Sequence, residues 1–378
     1  MADETPLPHA VPTLGDGRVE LRALTEADLP ALVEQSRDPA SVRWTGVPDP
    51  YGLDDARHFL DLHRRAWADG SGAYWAVTVA AGEDGPGLPF AGLIDLRHPP
   101  GAGPAWELGF GLHPQARGRG VMSAAVRLAA GWAFDHGAAS LYWHTERGNF
   151  ASWRVAWATG FTDHGLLPAR VPVRGGGAAS AWCASLLPGR PMRPAHPWLE
   201  APVLAADGIR LRPLRPDDTA IGEPHDHPPH HVPAGAVPTP ETVEDWLLRR
   251  GEVMARGTST NWCIADGETD EPLGEVLVFV RHGTLEVGGT AELGYLVKPS
   301  ARGRRVAVRA ARLAADHALA ATDAGGLGLR RLLAETASDN LASNRVLTAA
   351  GFTRWGEEAQ ADAPDGSVGP ATHWERLG

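Results

Sequence analysis

An internal repeat limits what this chain can fold into more than any other feature of the sequence. Glu107–Phe110 recurs as Glu292–Tyr295, and Ala116–Arg119 recurs as Ala301–Arg304 at the same offset. This period is far too long for a solenoid, whose units span about 20–50 residues. The repeat therefore indicates two domains of the same fold.

The downstream part of the repeat has gained a few residues. Asn149 and Ser152 recur as Asn340 and Ser343, at an offset larger by six residues. The extra residues fall near Asp323–Gly328, a Gly-rich segment typical of a loop between a helix and a strand. The insertion therefore predicts a longer loop within an unchanged fold.

Length and composition support the division. The 378 residues exceed one ordinary domain of roughly 150 residues, and a hydrophobic fraction of 43% allows each half a buried core. A Pro-rich segment, which favours a stiff linker, separates the halves. We predict domains over 13–190 and 204–378, joined by a linker over 191–203.

Hydrophobic periodicity and turn residues predict the order of elements in each copy. In the first copy, strands are predicted over 18–24, Tyr74–Ala80, Phe90–Arg97, Ala105–Leu112, Leu141–Thr145, Ala169–Val173 and Ser180–Leu187. Helices are predicted from Thr25 and over Asp54–Trp67, Gly120–His136 and Ala151–Thr159.

Charge and cysteine content exclude several classes of protein. A net charge of -11 opposes nucleic-acid binding, which depends on cationic contacts with phosphates. Cys183 and Cys263, the only cysteines, lack the spacing of a disulfide framework or a thiolate zinc site. No run of eighteen apolar residues occurs, and the acidic Met1–Thr5 is unlike a signal peptide. We expect a cytoplasmic protein without nucleic-acid or membrane partners.

The sharpest local motif is His113–Val121, which lies between a predicted strand and a predicted helix. Its glycines allow backbone N–H groups to converge, and a helix N-terminus favours an anion. Arg117 and Arg119 add charged donors. The segment fits a pyrophosphate site, although a surface turn with solvated arginines has the same pattern. It matches neither the dinucleotide-binding pattern nor the Walker pattern.

The order strand, Gln115-x-x-Gly118-x-Gly120, helix, strand, Asn149-x-x-Ser152 resembles the GNAT N-acetyltransferase superfamily. The resemblance covers nearly the whole chain, twice, and is nearest to the ribosomal-protein N-terminal acetyltransferase-like branch. It implies an α/β (α+β) fold with two tandem domains, each a mixed, mostly antiparallel central sheet flanked by helices. It also implies acetyl-CoA as co-substrate, without a metal.

In this family, the Gly-containing turn holds the pyrophosphate of acetyl-CoA, and the preceding strand offers an N–H to the thioester oxygen. The contacts implied in the first domain are Phe110, Leu112, Gln115, Arg117, Gly118, Arg119, Gly120, Val121, Ser123 and Asn149. Those implied in the second domain are Arg302, Gly303, Arg304 and Asn340.

The resemblance also implies catalytic residues. Glu107 is expected to accept the proton of an amine nucleophile, directly or through water. A glutamate that faces solvent or pairs with an arginine is the structural alternative. Ser152 is expected to hydrogen-bond the departing sulfur, or alternatively to cap a helix. Glu292 and Ser343 hold the matching positions of the second domain.

The sequence departs from the family pattern at some of these positions. Ala156 and Leu347 stand where many relatives carry a tyrosine as general acid. In the second copy, Ser300, Arg305 and Val308 replace Gln115, Gly120 and Ser123. We therefore predict that the first domain binds acetyl-CoA tightly and that the second binds it weakly or not at all.

Four histidines lie close together in the second half: His225, His227, His230 and His231. They suggest a metal site, but no Cys or Glu completes a recognised ligand spacing. The prolines between them favour a loop on the acceptor side, and we predict no metal. The resemblance places Trp44 where such folds close over the acceptor.

These observations predict transfer of the acetyl group of acetyl-CoA to a primary amine, on a small molecule or a protein N-terminus, in a direct ternary complex. Transfer of another acyl group is one alternative. A non-catalytic acyl-CoA-binding or interaction protein is another. The identity of the acceptor and the oligomeric state stay open.

Overall fold

A computed structural model describes residues 10–82, 85–98 and 103–378. The chain divides into two compact units between Ala195 and His196, within the segment predicted as a linker. Met1–Thr5, on which the expectation of no signal peptide depends, lies outside the described residues. No helix in the described part of the chain is long and apolar enough to span a membrane.

The first unit contains eight strands and five α-helices within its described residues. The strands are β1 (Leu14–Gly15), β2 (Val19–Arg22), β3 (Gly72–Val79), β4 (Leu88–Arg97), β5 (Ala105–Leu112), β6 (Ser140–Glu146), β7 (Thr162–Pro172) and β8 (Ala178–Leu186). The helices are α1 (Leu29–Arg37), α2 (Pro39–Trp44), α3 (Leu53–Asp69), α4 (Val121–Asp135) and α5 (Phe150–Ala158).

The second unit repeats the order of strands, but it has 3₁₀ turns (Asp218–Gly222 and Pro229–His231) in the region where the first unit has α1 and α2. Its strands are β9 (Leu204–Ala206), β10 (Ile209–Arg212), β11 (Ser259–Asp266), β12 (Pro272–Phe279), β13 (Thr290–Val297), β14 (Arg331–Ala337), β15 (Thr353–Asp362) and β16 (Val368–Leu377). Its helices are α6 (Val243–Ala255), α7 (Val306–Leu319) and α8 (Leu341–Ala349). A short 3₁₀ turn, Thr322–Ala324, lies in the predicted Gly-rich insertion.

Each unit is built on one eight-stranded sheet. The strand orders are β1-β2-β3-β4-β5-β6-β8-β7 and β9-β10-β11-β12-β13-β14-β16-β15. The pairs β5–β6 and β13–β14 are parallel, and the other adjacent pairs are antiparallel. The predicted fold class, a mixed and mostly antiparallel sheet flanked by helices in each domain, is confirmed.

The structure differs from the sequence prediction at β7, which begins at Thr162 rather than near Ala169, and in the segment after Thr25. The expected single helix is a 3₁₀ turn (Glu26–Asp28) followed by α1, and the unpredicted α2 comes next. Asp38 separates α1 from α2 because its backbone is extended. Its side chain caps α2 by accepting hydrogen bonds from the backbone N–H groups of Ala40 and Ser41. Pro39 then occupies the first helical position, which tolerates a missing N–H.

The cores show the duplication in three dimensions. Trp75 of β3 and Trp262 of β11 are fully buried, and their indole N–H groups donate to the carbonyls of Pro12 and Pro202 at 3.0 and 2.9 Å. On the first sheet, α4 covers the Trp75 face, and α1 and α3 cover the opposite face. Successive strand residues point to opposite faces, so one sheet supports both helical layers.

Candidate functional site

An opening in the sheet defines the candidate site of each unit. The parallel strands β5 and β6 pair only from Ala105 to Glu107, and β13 and β14 pair only from Thr290 to Glu292. Beyond these points each strand continues without its parallel neighbour, so backbone groups along the opening are available to a ligand. Glu107 and Glu292 each lie at the last paired position, at the apex of the opening.

Glu107 is held by two donors from neighbouring strands. Its carboxylate lies 2.8 Å from the guanidinium of Arg97, and its other oxygen accepts a hydrogen bond from the Tyr142 hydroxyl at 3.0 Å. Nδ1 of His144 lies 3.6 Å away. The glutamate therefore has the arginine partner of the structural alternative, while its position places it in the opening.

The groups around Glu107 have shifted proton affinities. Burial raises the pKa of Asp95 to about 6, against the opposing effect of Arg97. Burial also lowers the pKa of His144, so its imidazole is neutral at pH 7. Among the described residues, His144 Nδ1 is buried and has no hydrogen-bond partner. Such clusters of perturbed groups are typical of catalytic sites.

The repeated glycine of the Glu-Leu-Gly motif makes room for this cluster. A Cβ on Gly109 would lie within 2.8 Å of the Asp95 carboxylate and the Arg97 guanidinium. At the matching Gly294, the neighbours are Leu277 and Phe279. The two openings therefore differ in chemistry, since the first has an ion pair where the second has two apolar side chains.

The loop before α4, which the sequence predicts as a phosphate site, has open space beside two of its glycines. Gly118 and Gly120 adopt left-handed conformations with φ of +73° and +69°, and no atom lies within 4 Å of a Cβ built on either. Arg18 supports the loop by donating to the Arg119 carbonyl at 2.7 Å. The first-turn N–H groups of α4, including that of Val121, have no acceptor within the helix. The Val121 side chain is buried in the core, so only its backbone can reach a ligand.

The predicted charged donors of the loop are not all directed at one point. The Arg117 guanidinium lies 2.6 Å from the Asp38 carboxylate and donates to the Leu112 carbonyl at 3.3 Å. Hydrogen bonds from Arg117 hold the pKa of Asp38 below its ordinary value. Arg117 must exchange this partner to bind a phosphate. Gln115 is exposed.

Asn149 caps the start of α5, and Ser152 lies in the first turn of that helix. The Asn149 side chain accepts the backbone N–H of Ser152 at 3.2 Å and donates to Thr145 at 3.1 Å. The Ser152 hydroxyl accepts the indole N–H of Trp143 at 3.0 Å. This bond uses a lone pair of the hydroxyl and leaves its proton available as a donor.

Trp44 lies at the end of α2, beside residues that reach the rim of the opening. The Arg43 guanidinium stacks 4.0 Å from the centre of the Trp44 ring. The same guanidinium lies 2.8 Å from Glu146, the last residue of β6. This contact ties α2 to the end of a strand that borders the opening.

In the second unit, carboxylates from the chain itself occupy the corresponding loop. Both the backbone N–H and the hydroxyl of Ser300 donate to Glu223, at 3.0 and 2.6 Å. Arg302 pairs with Asp226 at 2.9 Å. Glu223 therefore occupies donors of the kind that a phosphate would use, since phosphate oxygens and carboxylates accept from the same groups.

The backbone of the second loop keeps its shape at a conformational cost. Gly303 has a φ of +77°, and Arg305, which replaces Gly120, has a φ of +57°. A non-glycine residue in this region costs about 1–2 kcal/mol. Arg304 turns towards Asp266, 3.5 Å away.

The predicted catalytic residues of the second unit are more tightly bound by partners than those of the first. Arg281 contacts both oxygens of Glu292, at 2.6 and 2.8 Å. The Ser343 hydroxyl is 2.6 Å from the Tyr295 hydroxyl. Asn340 accepts the Ser343 N–H at 3.1 Å and so caps α8 as Asn149 caps α5.

Sequence reasoning missed Asp95, Arg97, Tyr142 and His144. Asp95 and Arg97 lie two residues apart on β4, and Tyr142 and His144 lie two residues apart on β6. The alternation of side chains along a strand places each pair on one face of the sheet. Their meeting with Glu107 depends on the register of three strands, in which Arg97 pairs with Glu107 and Glu107 with Tyr142. Single-strand patterns carry no information on that register.

Comparison with known proteins follows the same division into two copies. A family model described as acetyltransferase (GNAT) domain matches residues 18–162 and 209–353. No curated protein matches the sequence.

Solved structures resemble one half of the chain at a time. RimJ of Mycobacterium smegmatis, in complex with CoA-disulfide, is 18% identical and has a TM-score of 0.42. The match covers 48% of this chain and 90% of the RimJ chain. The microcin C7 self-immunity acetyltransferase MccE, in complex with acetyl-CoA and AMP, is 15% identical, with a TM-score of 0.41 and coverages of 49% and 99%. The ribosomal L7/L12 α-N-protein acetyltransferase RimL is 18% identical, with a TM-score of 0.40 and coverages of 47% and 94%.

The family model matches well over half of the chain, in the two segments that fold as equivalent units. This chain therefore belongs to the GNAT acetyltransferase domain family and carries two copies of that domain.

Proposed function

We propose that the first domain transfers the acetyl group of acetyl-CoA to a primary amine on a small molecule or a protein N-terminus. The observation that carries this proposal is the position of Glu107 at the apex of the opening, beside the neutral imidazole of His144. An ammonium substrate must lose a proton before it can attack a thioester. A carboxylate and an imidazole in one cleft provide acceptors for that proton.

The loop of the first domain fits the co-substrate. Gly118 and Gly120 leave open space where a pyrophosphate would approach the backbone, and the N-terminus of α4 points to it. Acetyl-CoA would supply the thioester. The chain would bind its phosphates through loop N–H groups, Arg119 and, after release from Asp38, Arg117.

Glu107→Gln is expected to lower kcat about 10²-fold, within the range for loss of a general base, while acetyl-CoA binding is retained. The amide keeps the size of the side chain and one acceptor oxygen, but it replaces the other oxygen by an NH2 donor and cannot accept the amine proton. Turnover against pH, with a panel of primary amines, measures the effect.

Asp95→Asn is the matched control for that profile. Asp95 titrates near pH 6 and contacts the same Arg97, so its loss should shift the acid limb of the profile without abolishing turnover. Unchanged rate and profile in Glu107→Gln would remove Glu107 from the mechanism.

Gly118→Val is expected to weaken acetyl-CoA binding at least about 10²-fold, equivalent to the loss of one or two charge-assisted contacts. A β-branched residue resists a φ of +73° and places methyl groups where phosphate must approach. Gly137→Val is the control, because Gly137 has a φ of +92° and equally open space but lies beyond the far end of α4. Calorimetry measures the acetyl-CoA affinity of both variants, and denaturant unfolding measures their free energies of unfolding. Equal acetyl-CoA affinities would show that the loop has been misassigned.

A non-catalytic acyl-CoA-binding protein, or one that transfers another acyl group, is the second candidate. The arginine partner of Glu107 favours the non-catalytic form, since the ion pair occupies one oxygen of the carboxylate. Acyl-CoA turnover assays with acetyl and longer acyl donors separate these cases. Acyl-CoA binding without turnover over a broad amine panel would favour the binding protein.

A further inference from the structure

Two neighbouring histidines and a distant aspartate meet in the second domain. His230 and His231 belong to a 3₁₀ turn, Pro229–His231, and their Nε2 atoms lie 2.8 and 2.9 Å from the two carboxylate oxygens of Asp339. The three ligand atoms lie within 4.8 Å of one another. Asp339 is more than one hundred residues away in the sequence, so only the fold brings the group together.

The backbone around these residues fixes their approach. The His231 N–H donates to the Pro228 carbonyl at 2.9 Å, and two successive prolines restrict the turn. Asp339 immediately precedes Asn340, whose side chain caps α8. Both sides of the cluster are therefore held by ordered elements, which keeps the entropic cost of assembling the ligands low.

The donor set selects a class of cation. Two imidazole nitrogens and one carboxylate oxygen suit Zn²⁺ and similar first-row divalent ions, whereas Mg²⁺ and Ca²⁺ prefer oxygen ligands. A tetrahedral ion with bonds of about 2.0–2.1 Å separates its ligand atoms by about 3.3 Å. The present contacts need to open by roughly 0.5 Å. The Asp339 side chain is 63% exposed and has room to make this movement.

One further acidic residue lies near the cluster. Asp365, in the turn between β15 and β16, interacts electrostatically with His230. The Asp339 carboxylate contacts both imidazoles, at 2.8 and 2.9 Å. The carboxylates beside the two imidazoles attract a divalent cation.

We propose that His230, His231 and Asp339 form a binding site for a Zn²⁺-class divalent cation, with the fourth coordination position open to water. The proposal is independent of acetyl transfer. The same loop, residues 223–231, carries Glu223 and Asp226, which contact the Ser300 and Arg302 loop. A bound cation therefore fixes one end of the segment whose other end occupies the second phosphate loop.

Co²⁺ is the probe, since its visible absorption reports coordination and it takes the same ligands as Zn²⁺. Full-length protein treated with a chelator and then titrated with Co²⁺ is expected to bind about one ion per chain, displaced by Zn²⁺. His231→Ala and Asp339→Asn should each weaken Co²⁺ binding by at least about 10-fold. Even the loss of a residue that only hydrogen-bonds to a metal ligand typically lowers metal affinity by this factor. His282→Ala, which removes an exposed histidine of the same domain, should leave the titration unchanged.

Circular dichroism of each variant verifies folding, and Asp339→Asn keeps the size of an exposed side chain. Absence of saturable Co²⁺ binding to the wild type would overturn the proposal. So would a titration that Asp339→Asn and His231→Ala leave unchanged, because the bound ion would then lie elsewhere.

Discussion

Calorimetry of the intact chain with acetyl-CoA is expected to show about one tight site, located in the first domain. The first loop presents open left-handed glycines at Gly118 and Gly120. In the second loop, Glu223 already occupies the N–H and hydroxyl of Ser300, and Arg305 stands at the position of close approach. Losing two charge-assisted contacts to phosphate costs roughly 3–6 kcal/mol, or about 10²- to 10⁴-fold in affinity.

A reciprocal pair of variants assigns that site. Gly120→Arg should abolish tight binding, because it places a long side chain and a strained φ at the pyrophosphate position. Arg305→Gly should leave the tight site intact. It should also stabilise the second domain by about 1 kcal/mol through relief of the left-handed arginine.

One outcome would contradict the predicted difference in acetyl-CoA affinity between the two domains. Two equivalent tight sites in the wild type would contradict it and would make both domains candidates for acetyl transfer.

Glu223→Ala isolates the role of the competing carboxylate. If the second loop is blocked mainly by Glu223, this variant should gain a second, weaker binding event, whereas Glu223→Asp should gain less.

The second large effect concerns stability. Asp218→Asn is expected to destabilise the second domain by about 3–5 kcal/mol, the range for breaking a buried ion pair from one side. Arg212 and Asp218 are 3% and 2% exposed and form two parallel hydrogen bonds of 2.9 and 2.7 Å. The variant leaves the Arg212 charge buried, and among the described residues the more exposed Asp270, at 3.0 Å, remains as its ionic partner.

The duplication provides the control for this prediction. Arg22 and Asp28 form the corresponding pair of the first domain, but the Arg22 side chain is 26% exposed and stays partly hydrated. Asp28→Asn should therefore cost less, roughly 1–2 kcal/mol. Amide hydrogen exchange resolves peptides of β10 and β11 from those of β2 and β3 and so measures each domain within the intact chain. Equal losses of protection would show that burial of the pair does not set its energy.

Much of the fold followed from local patterns. The bounds of β5 were predicted to the residue, and α3, α4 and α5 lie within two residues of their predicted bounds, because apolar periodicity and helix stop signals act over a few residues. The repeat established two equivalent domains without any knowledge of their contacts. The α1–α2 break was missed because it depends on one extended residue, Asp38, at a site where the composition still favours a helix.

The sequence alone determined the duplicated fold, the loop motif and the loss of Gly120 in the second copy. The tertiary structure decided the chemistry of each site. Arg97 and Tyr142 reach Glu107 through strand register, Glu223 reaches Ser300 through the path of a loop, and Asp339 meets His230 across the domain. These partners lie from ten to more than one hundred residues apart in the sequence. Local propensity cannot encode contacts that exist only after the sheet has assembled and buried its core.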